Sequence, residues 1–417
     1  MFGLFRHRTY RRLFAAQVVA LTGTGLATVA LGLLAYGLAG ARAGEVLGTA
    51  LAIKMVAFVG LAPLVGAQAH RLPRRVLLVG ADLLRAGTAL ALPFVDRVWQ
   101  VYLLIFVLQA ASAAFTPAFQ SLIPEVLTEE REYTRALTLA SLAYDLENLC
   151  SPALAAGLLA VLTYHQLFFG TAIGFLGSAA LVVSAALPKP AAREVRGGAL
   201  VRSTEGARLL WRVPGLRALL ALNLAVAAGG AVVYVNTVVY VRDQLHRAAG
   251  DVPFALGAYG AGSMTAALLL PRALERVRER TVLLGGGFAV AALFGPLAVL
   301  TVAAGHGSWR WPALLAVWAA LGAACATVNA PAGRLIRRSV SAERRTEAFA
   351  AQFSLSHGCW LLTYPLAGWL GATAGLPAAV LAQGGLALGA AVLAARWWRP
   401  GRVVRFGLPV AARRATG

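Results

Sequence analysis

The chain has 417 residues, a length that suggests two or three domains if the protein were soluble. Its composition excludes that class, because 59% of the residues are hydrophobic, 13% are charged and the mean hydropathy is +0.71, whereas soluble domains are about a quarter charged. The net charge of +21 would be typical of nucleic-acid binding in a soluble chain. In so apolar a chain the charge is better explained by membrane topology, and we expect no nucleic-acid partner.

Apolar runs long enough to cross a bilayer, each needing about 20 helical residues, recur along the whole chain. About twelve spans are predicted, at 13–40, 46–69, 76–95, 98–123, 136–162, 165–187, 216–241, 252–273, 281–304, 310–333, 346–373 and 375–396. The sequence therefore predicts an all-α polytopic membrane protein.

The basic residues between these spans are distributed unevenly. Most of the 38 Lys and Arg fall in alternate loops, on the side of the membrane that holds both termini. The few on the other side are Arg42, Arg97, Arg242, Arg247 and Arg310. Cytoplasmic loops carry the excess of Lys and Arg in membrane proteins. We therefore expect a multi-pass protein of the plasma (inner) membrane with both termini in the cytoplasm.

The longest polar interruption, residues 188–215, has six predicted spans on each side. A repeat relates the two sides: TPAFQSLIPEVLTEEREYTRA (116–136) follows the fourth span, and APAGRLIRRSVSAERRTEAFA (330–350) follows the tenth. Self-similarity at such a distance indicates a duplicated architecture. We predict two pseudo-symmetric six-helix bundles, with these parts: an N-terminal bundle 1–187, a cytoplasmic linker 188–215, a C-terminal bundle 216–396 and a basic cytoplasmic tail 397–417.

The loop GAQAHRLPRR (66–75) carries a more specific signal. Together with the two parallel halves, it resembles transporters of the major facilitator superfamily, in which this loop follows the pattern G-x-x-x-D-R-x-G-R-R. His70 stands in place of the family's Asp, and Pro73 in place of a Gly. The resemblance implies a cytoplasmic gate, which His70 would make weaker and pH-sensitive, formed by Gly66, His70, Arg71, Arg74 and Arg75.

Two further resemblances concern the direction of transport and the substrate. SPALAAG (151–157) resembles a reduced form of the fifth-helix motif of exporters. The segments SLAYDLENLCSP (141–152) and AQFSLSHGCWLLTYPLAGW (351–369) resemble efflux members linked to nickel and cobalt resistance. The basic tail, however, lacks the His residues that such members can carry.

Four ionisable residues lie near the middle of predicted spans. A charged side chain in the hydrocarbon core of a membrane costs free energy, so each of these residues is a candidate functional residue. They are Lys54, Asp145, Glu147 and His357. The resemblance implies that their helices, the second, fifth and eleventh, face the central cavity. We predict a proton-coupling and substrate site here. Asp145 and Glu147 point about 200° apart on a helix, so at most one of them faces the cavity squarely.

Other polar residues within the predicted spans have two readings, as cavity lining or as interhelical hydrogen-bond partners. The cavity-lining candidates are Gln17, Gln109, Asn223, Asn236, Asn329, Gln352 and Tyr364. Asp82 and Arg85 on the third span are spaced i,i+3, which favours an internal ion pair over a transport role.

An alternative role for the central residues is to bind a metal ion. Glu147 and Cys150 share a helical face, and His357 across the cavity would complete a three-ligand set. No phosphate-binding loop or catalytic triad is found, so neither a cofactor nor an enzymatic activity is expected.

The sequence thus predicts a secondary active transporter, a proton-coupled exporter (antiporter) of drug-like small molecules that works by alternating access. One alternative is an exporter of divalent transition metal ions such as nickel or cobalt. A second is a non-transporting membrane receptor or scaffold. The expected partners are a small-molecule or ion substrate, protons and the lipid bilayer, and the chain is expected to act as a monomer.

Overall fold

The structure is a computed structural model of the 417-residue chain. It describes residues 2–61, 73–127, 153–187, 199–303, 307–341 and 344–398, together with single positions between 129 and 151. Asp145, Glu147 and Cys150 lie outside the described residues, as do Gly66, His70 and Arg71.

The described part of the chain is almost entirely helical. The long helices with described bounds before the predicted linker are α1 Arg8–Ala39, α2 Ala43–Val56, α3 Arg74–Ala91, α4 Val98–Val126 and α5 Tyr164–Ser184. A shorter helix lies within the linker, and six long helices follow: α6 Ala199–Arg212, α7 Pro214–Val239, α8 Val252–Arg276, α9 Glu279–Val302, α10 Arg310–Ser339, α11 Arg345–Thr373 and α12 Leu376–Trp397.

These helices confirm the predicted all-α membrane class. Among the described residues, nine stretches are long and apolar enough to cross a membrane, and the first of them contains both α1 and α2. The helix ends follow from turn chemistry as well as from hydropathy. For example, Pro occupies the first turn of α7, α8 and α12, where its missing N–H costs nothing.

The packing of the two halves repeats. In the first half α1 packs on α5, and α3 packs on both α4 and α5. In the second half α7 packs on α12, and α9 packs on both α10 and α12. Because α5 is the sixth predicted span, each contact recurs six spans later along the chain. This is the pseudo-symmetric pair of bundles that the duplicated loops predict.

The predicted ion pair on α3 is confirmed. Arg85 donates through Nη2 to Asp82 Oδ1, and both residues are buried, at 5% and 0% exposure. The Arg85 guanidinium lies 4.3 Å from the ring centroid of Phe115 on α4 and 4.5 Å from that of Phe175 on α5. This charge is therefore held inside the N-terminal half by its partner and by two aromatic faces.

Two helices end in a π-helical turn rather than in regular α-helix. Ala57–Leu61 follows α2, and Tyr240–Gln244 follows α7. An extra residue per turn rotates the side chains that follow it, and such turns are frequent at functional sites. Here the first turn carries Phe58 and the second carries Asp243, and each makes a contact with the opposite half of the protein.

Candidate functional site

The two halves meet along α2 and α11. At one end of this interface the backbones touch, because Gly44 and Gly48 on α2 lie against Gly368 and Tyr364 on α11. A Cβ at Gly48 would lie 2.6 Å from the Tyr364 carbonyl oxygen, and a Cβ at Gly368 would collide with the Gly44 carbonyl. Side chains cannot pass where two helices approach this closely, so this section of the interface is sealed. We call it the glycine seal.

Polar contacts reinforce the glycine seal at the same end of the bundle. Trp369 on α11 donates its Nε1–H to Thr49 Oγ1 on α2 at 2.8 Å. Tyr36, near the end of α1, donates its hydroxyl to Asp243 Oδ1 at 2.5 Å. The Arg242 guanidinium lies 5.4 Å from the Tyr36 ring centroid. Both hydrogen bonds and this cation–π contact link the first half to the second.

Deeper in the interface, large side chains replace the glycines. Lys54 and His357 lie six and seven residues beyond Gly48 and Tyr364, which at about 1.5 Å per residue places them about 10 Å further into the bundle. The His357 ring stacks on Phe58 of the first half, with centroids 5.9 Å apart, and on Phe353 of its own helix at 4.0 Å. Its Nδ1–H donates to the Phe353 carbonyl oxygen at 2.7 Å.

The structure brings two of the four predicted ionisable residues together. Lys54 on α2 is partly buried, and Phe58, one helical turn further along the chain, contacts His357 on α11. Lys54 and His357 belong to opposite halves of the protein, so any rocking of the halves alters their separation. Asp145 and Glu147 lie outside the described residues, and their part in this site stays a prediction.

A cluster of aromatic residues continues from His357. Trp360 lies 5.0 Å from Tyr364 and 6.1 Å from Tyr234 of α7, measured between ring centroids, and Tyr234 lies 5.7 Å from Tyr259 of α8. A Cβ at Gly230 of α7 would overlap the Trp360 indole, so that glycine makes room for the ring. We call Tyr234, Tyr259, Trp360 and Tyr364 the aromatic wall.

Sequence reasoning identified only Tyr364 of the aromatic wall. The spacing of Phe353, His357, Trp360 and Tyr364 is i, i+4, i+7 and i+11, which places all four on one face of α11. That periodicity was the available signal for this site. Tyr234 and Tyr259 join it through contacts between helices, for which the sequence holds no local signal.

The predicted cavity-lining residues fall into two groups. Gln109, Asn223, Asn236 and Tyr364 are buried, whereas Gln17 and Gln352 are partly exposed and Asn329 is exposed. Asn236 donates through Nδ2 to the Ala367 carbonyl oxygen at 3.4 Å and so links α7 to α11. For all seven residues, cavity lining stays a prediction.

The predicted gate and metal ligands are only partly within the described residues. Arg74 begins α3, and Arg75 donates to the carbonyl oxygen of Ala185, at the end of α5, at 2.7 Å. This contact lies within the first half. No group of three or more His, Cys, Asp or Glu that could hold a metal occurs in the described part of the chain. Two of the three proposed ligands, Glu147 and Cys150, lie outside that part.

Comparison with known proteins places this geometry in context. The model of the Major Facilitator Superfamily matches residues 13–246 and 219–413. The chain is 28% identical over 158 residues to the uncharacterized MFS-type transporter YfiS of Bacillus subtilis (strain 168). It is 25% identical over 156 residues to macrolide efflux protein A of Streptococcus pyogenes. These alignments cover 37% and 35% of this chain and 38% of each relative's length.

Solved structures show the same fold over nearly the whole chain. The nucleoside transporter NupG superposes with a TM-score of 0.72 at 13% identity, covering 94% of this chain and all of that one. A bacterial homologue of the human lysosomal transporter Spinster, inward-facing and unoccupied, has a TM-score of 0.72 at 13% identity, covering 95% of this chain and 99% of that one.

Proposed function

Because the chain belongs to the Major Facilitator Superfamily and is a multi-pass membrane transporter rather than an enzyme, we propose that it is a proton-coupled exporter of drug-like small molecules. The family is one of transporters, so a receptor or scaffold without transport activity is not pursued. The observation that carries the proposal is the division of the α2–α11 interface into a sealed end and an ionisable, aromatic middle.

The sealed end supports alternating access. The glycine seal and the Tyr36–Asp243 hydrogen bond lie at the end of the bundle where α1 ends and α2 begins. The distribution of basic residues predicts that this end is extracellular. The structure then corresponds to a state closed to the outside, and export requires these contacts to open while the opposite end closes.

The middle of the interface supports a substrate site. Sites of secondary transporters lie near the bilayer midplane between the halves. There, Trp360 and Tyr234 are partly exposed and Tyr364 and Tyr259 are buried behind them. Aromatic faces bind apolar and planar groups with little specificity for hydrogen bonding. The aromatic wall therefore favours lipophilic organic molecules, in keeping with the partial similarity to a macrolide efflux protein.

Proton coupling in this proposal depends on the central ionisable groups. A carboxylate of Asp145 or Glu147 takes up a proton from the outside, and substrate is released outward as that negative charge is lost. Lys54 and His357, at the junction of the halves, respond to the same change of charge. The return movement delivers the proton to the cytoplasm, so one proton enters for each substrate exported.

The experiment is an efflux assay in a drug-sensitive bacterial strain lacking this gene, complemented with the wild type, Asp145→Asn or Glu147→Gln. We expect the wild type to lower the accumulation of lipophilic dyes and at least one of the two variants to abolish that effect at equal expression. Normal efflux by both variants would overturn the coupling assignment.

The same strains test the metal alternative. Growth with nickel or cobalt is compared for the wild type, Cys150→Ser and His357→Ala. If these two variants lose metal resistance while dye efflux is retained, the substrate is a divalent metal rather than a drug-like molecule. Loss of dye efflux without any metal phenotype supports the proposed function.

A further inference from the structure

Three tryptophans gather at the end of the second half that holds the start of α7 and the end of α12. Trp211, at the end of α6, packs edge-on against Trp397 with ring centroids 5.3 Å apart. Trp398 follows directly, and its indole lies against Gly215 at the start of α7. Tryptophan is enriched where a membrane protein crosses the lipid headgroup region. This end of the bundle therefore lies at a membrane–water interface.

Arginines surround these rings. The Arg217 guanidinium lies 4.9 Å from the Trp397 ring centroid, and its Nε is buried without a hydrogen-bond partner among the described residues. Arg280 donates through Nε to the Trp398 carbonyl oxygen at 2.6 Å. The neighbouring acid Glu279 is occupied by an ion pair with Arg338 at 3.7 Å. Neither Arg217 nor Arg280 contacts a carboxylate within the described part of the chain.

Helix α6 adds an exposed basic face to this cluster. Its inner face is fixed on the protein, because Leu210 is fully buried and Gly206 lies against the Glu347 carbonyl of α11. The opposite face carries Arg208, Trp211 and Arg212, spaced i, i+3 and i+4, and all three are exposed, Trp211 at 56%. The helix is thus held against the bundle with two cations and an indole directed outward.

The other end of the bundle is different. There, exposed aromatic residues also occur, such as Trp99 at 57% and Trp309 at 51%. Two of the arginines at that end, however, have acidic partners: Arg42 pairs with Glu45 at 2.6 Å and Arg247 pairs with Asp251 at 3.0 Å. The outer face of α6 combines an exposed tryptophan with two exposed arginines that pair with no carboxylate among the described residues.

We propose that Arg208, Trp211, Arg212 and Arg217 form a binding surface for the headgroup phosphate of an anionic phospholipid in the adjoining leaflet. Guanidinium groups bind phosphate oxygens with two parallel N–H donors, and the indole of Trp211 lies at the depth of the lipid glycerol. An anionic leaflet attracts such a basic helix face, and a zwitterionic one does not. The surface does not depend on which substrate the protein transports.

The test uses the full chain purified in detergent and titrated with phosphatidylglycerol or phosphatidylcholine, with bound lipid counted by native mass spectrometry. We expect the wild type to retain phosphatidylglycerol at least fivefold more tightly than phosphatidylcholine. Arg208→Gln with Arg212→Gln removes two exposed cations and is expected to abolish that preference without loss of folding. Arg217→Lys keeps the charge, loses the planar donor pair and is expected to weaken the preference.

The matched control is Arg272→Gln with Arg276→Gln, which removes two exposed cations from the last turns of α8, whereas the tryptophans lie on α6 and at the end of α12. The control is expected to behave as the wild type. Equal binding of the two lipids by the wild type would overturn the proposal. An equal loss of the phosphatidylglycerol preference in the control variant would also overturn it, because lipid binding would then depend on net charge and not on this surface. Adding inorganic phosphate is expected to leave the bound phosphatidylglycerol in place.

Discussion

The two sections of the α2–α11 interface differ in the size of the residues that meet there. At the glycine seal the backbones of Gly44, Gly48 and Gly368 are in contact and leave no room for side chains. About 10 Å deeper, His357, Phe58 and Trp360 fill the interface with rings. This contrast is the basis of the proposal that the interface is closed at one end and binds substrate in the middle.

The buried charges follow the same division. The Asp82–Arg85 pair lies within one half, between α3, α4 and α5, and stays together however the halves move. Lys54 and His357 lie on opposite halves. The pair within one half is held there by its own contacts, whereas the groups at the junction are those to which we assign a part in the proposed proton coupling. The following substitutions separate these roles, in order of decreasing effect.

Asp82→Asn is expected to have the largest effect on stability. It removes the carboxylate to which Arg85 donates, and breaking a buried pair by removing one partner costs about 3–5 kcal/mol. The melting temperature of the purified protein in detergent measures this loss. Lys54→Gln serves as the comparison at the junction and is expected to retain stability while reducing transport. An unchanged melting temperature for Asp82→Asn would contradict the structural role of this pair.

Gly368→Val is expected to open the glycine seal. The added side chain overlaps the Gly44 carbonyl, and overpacking of this kind costs about 1–3 kcal/mol. The closed-outside state is then disfavoured, so a cysteine placed in the α1–α2 loop becomes more accessible to an impermeant maleimide. Gly358→Val, on the same helix with open space around its Cα, is the control. Equal labelling of both variants would show that the seal does not hold this end closed.

Trp360→Ala tests the aromatic wall. Removing one ring of an aromatic cluster costs about 0.5–1.5 kcal/mol beyond lost area, so the apparent KM for a lipophilic dye should rise roughly two- to tenfold. We expect the maximal rate to change less than KM, because the ring binds substrate and carries no proton. Trp99→Ala, on an exposed surface at the other end of the bundle, is expected to leave KM unchanged. A rise confined to the Trp99 variant would place the substrate elsewhere.

Tyr36→Phe is expected to have the smallest effect. It removes the hydroxyl that donates to Asp243, and a net hydrogen bond contributes about 0.5–1.5 kcal/mol. The population open to the outside should therefore rise only severalfold in the same maleimide assay. Tyr10→Phe removes a buried hydroxyl that has no hydrogen-bond partner among the described residues and is expected to change nothing. An equal increase in maleimide labelling of Tyr10→Phe would show that the effect does not come from the hydrogen bond between Tyr36 and Asp243.

Much of the fold was predictable because its cause is local. The apolar run 98–123 became the helix Val98–Val126, and the i,i+3 spacing of Asp82 and Arg85 gave their ion pair. The π-turns and the glycine seal could not be predicted, because they depend on contacts such as that between Thr49 and Trp369, which are 320 positions apart. Lys54 and His357 were recognisable in the sequence because an ionisable side chain within a membrane span costs free energy. The sequence could not indicate which aromatic rings surround them, because those contacts join distant parts of the chain.

The central claim is that this transporter exchanges protons for a lipophilic substrate across the α2–α11 interface. The most direct measurement is dye movement in proteoliposomes when a proton gradient is imposed by an external pH jump. We predict that protons flowing through the wild type drive dye in the opposite direction, and that Asp145→Asn with Glu147→Gln removes this response in proteoliposomes that hold an equal amount of protein. Dye movement of equal rate with and without the gradient in the wild type would contradict the account.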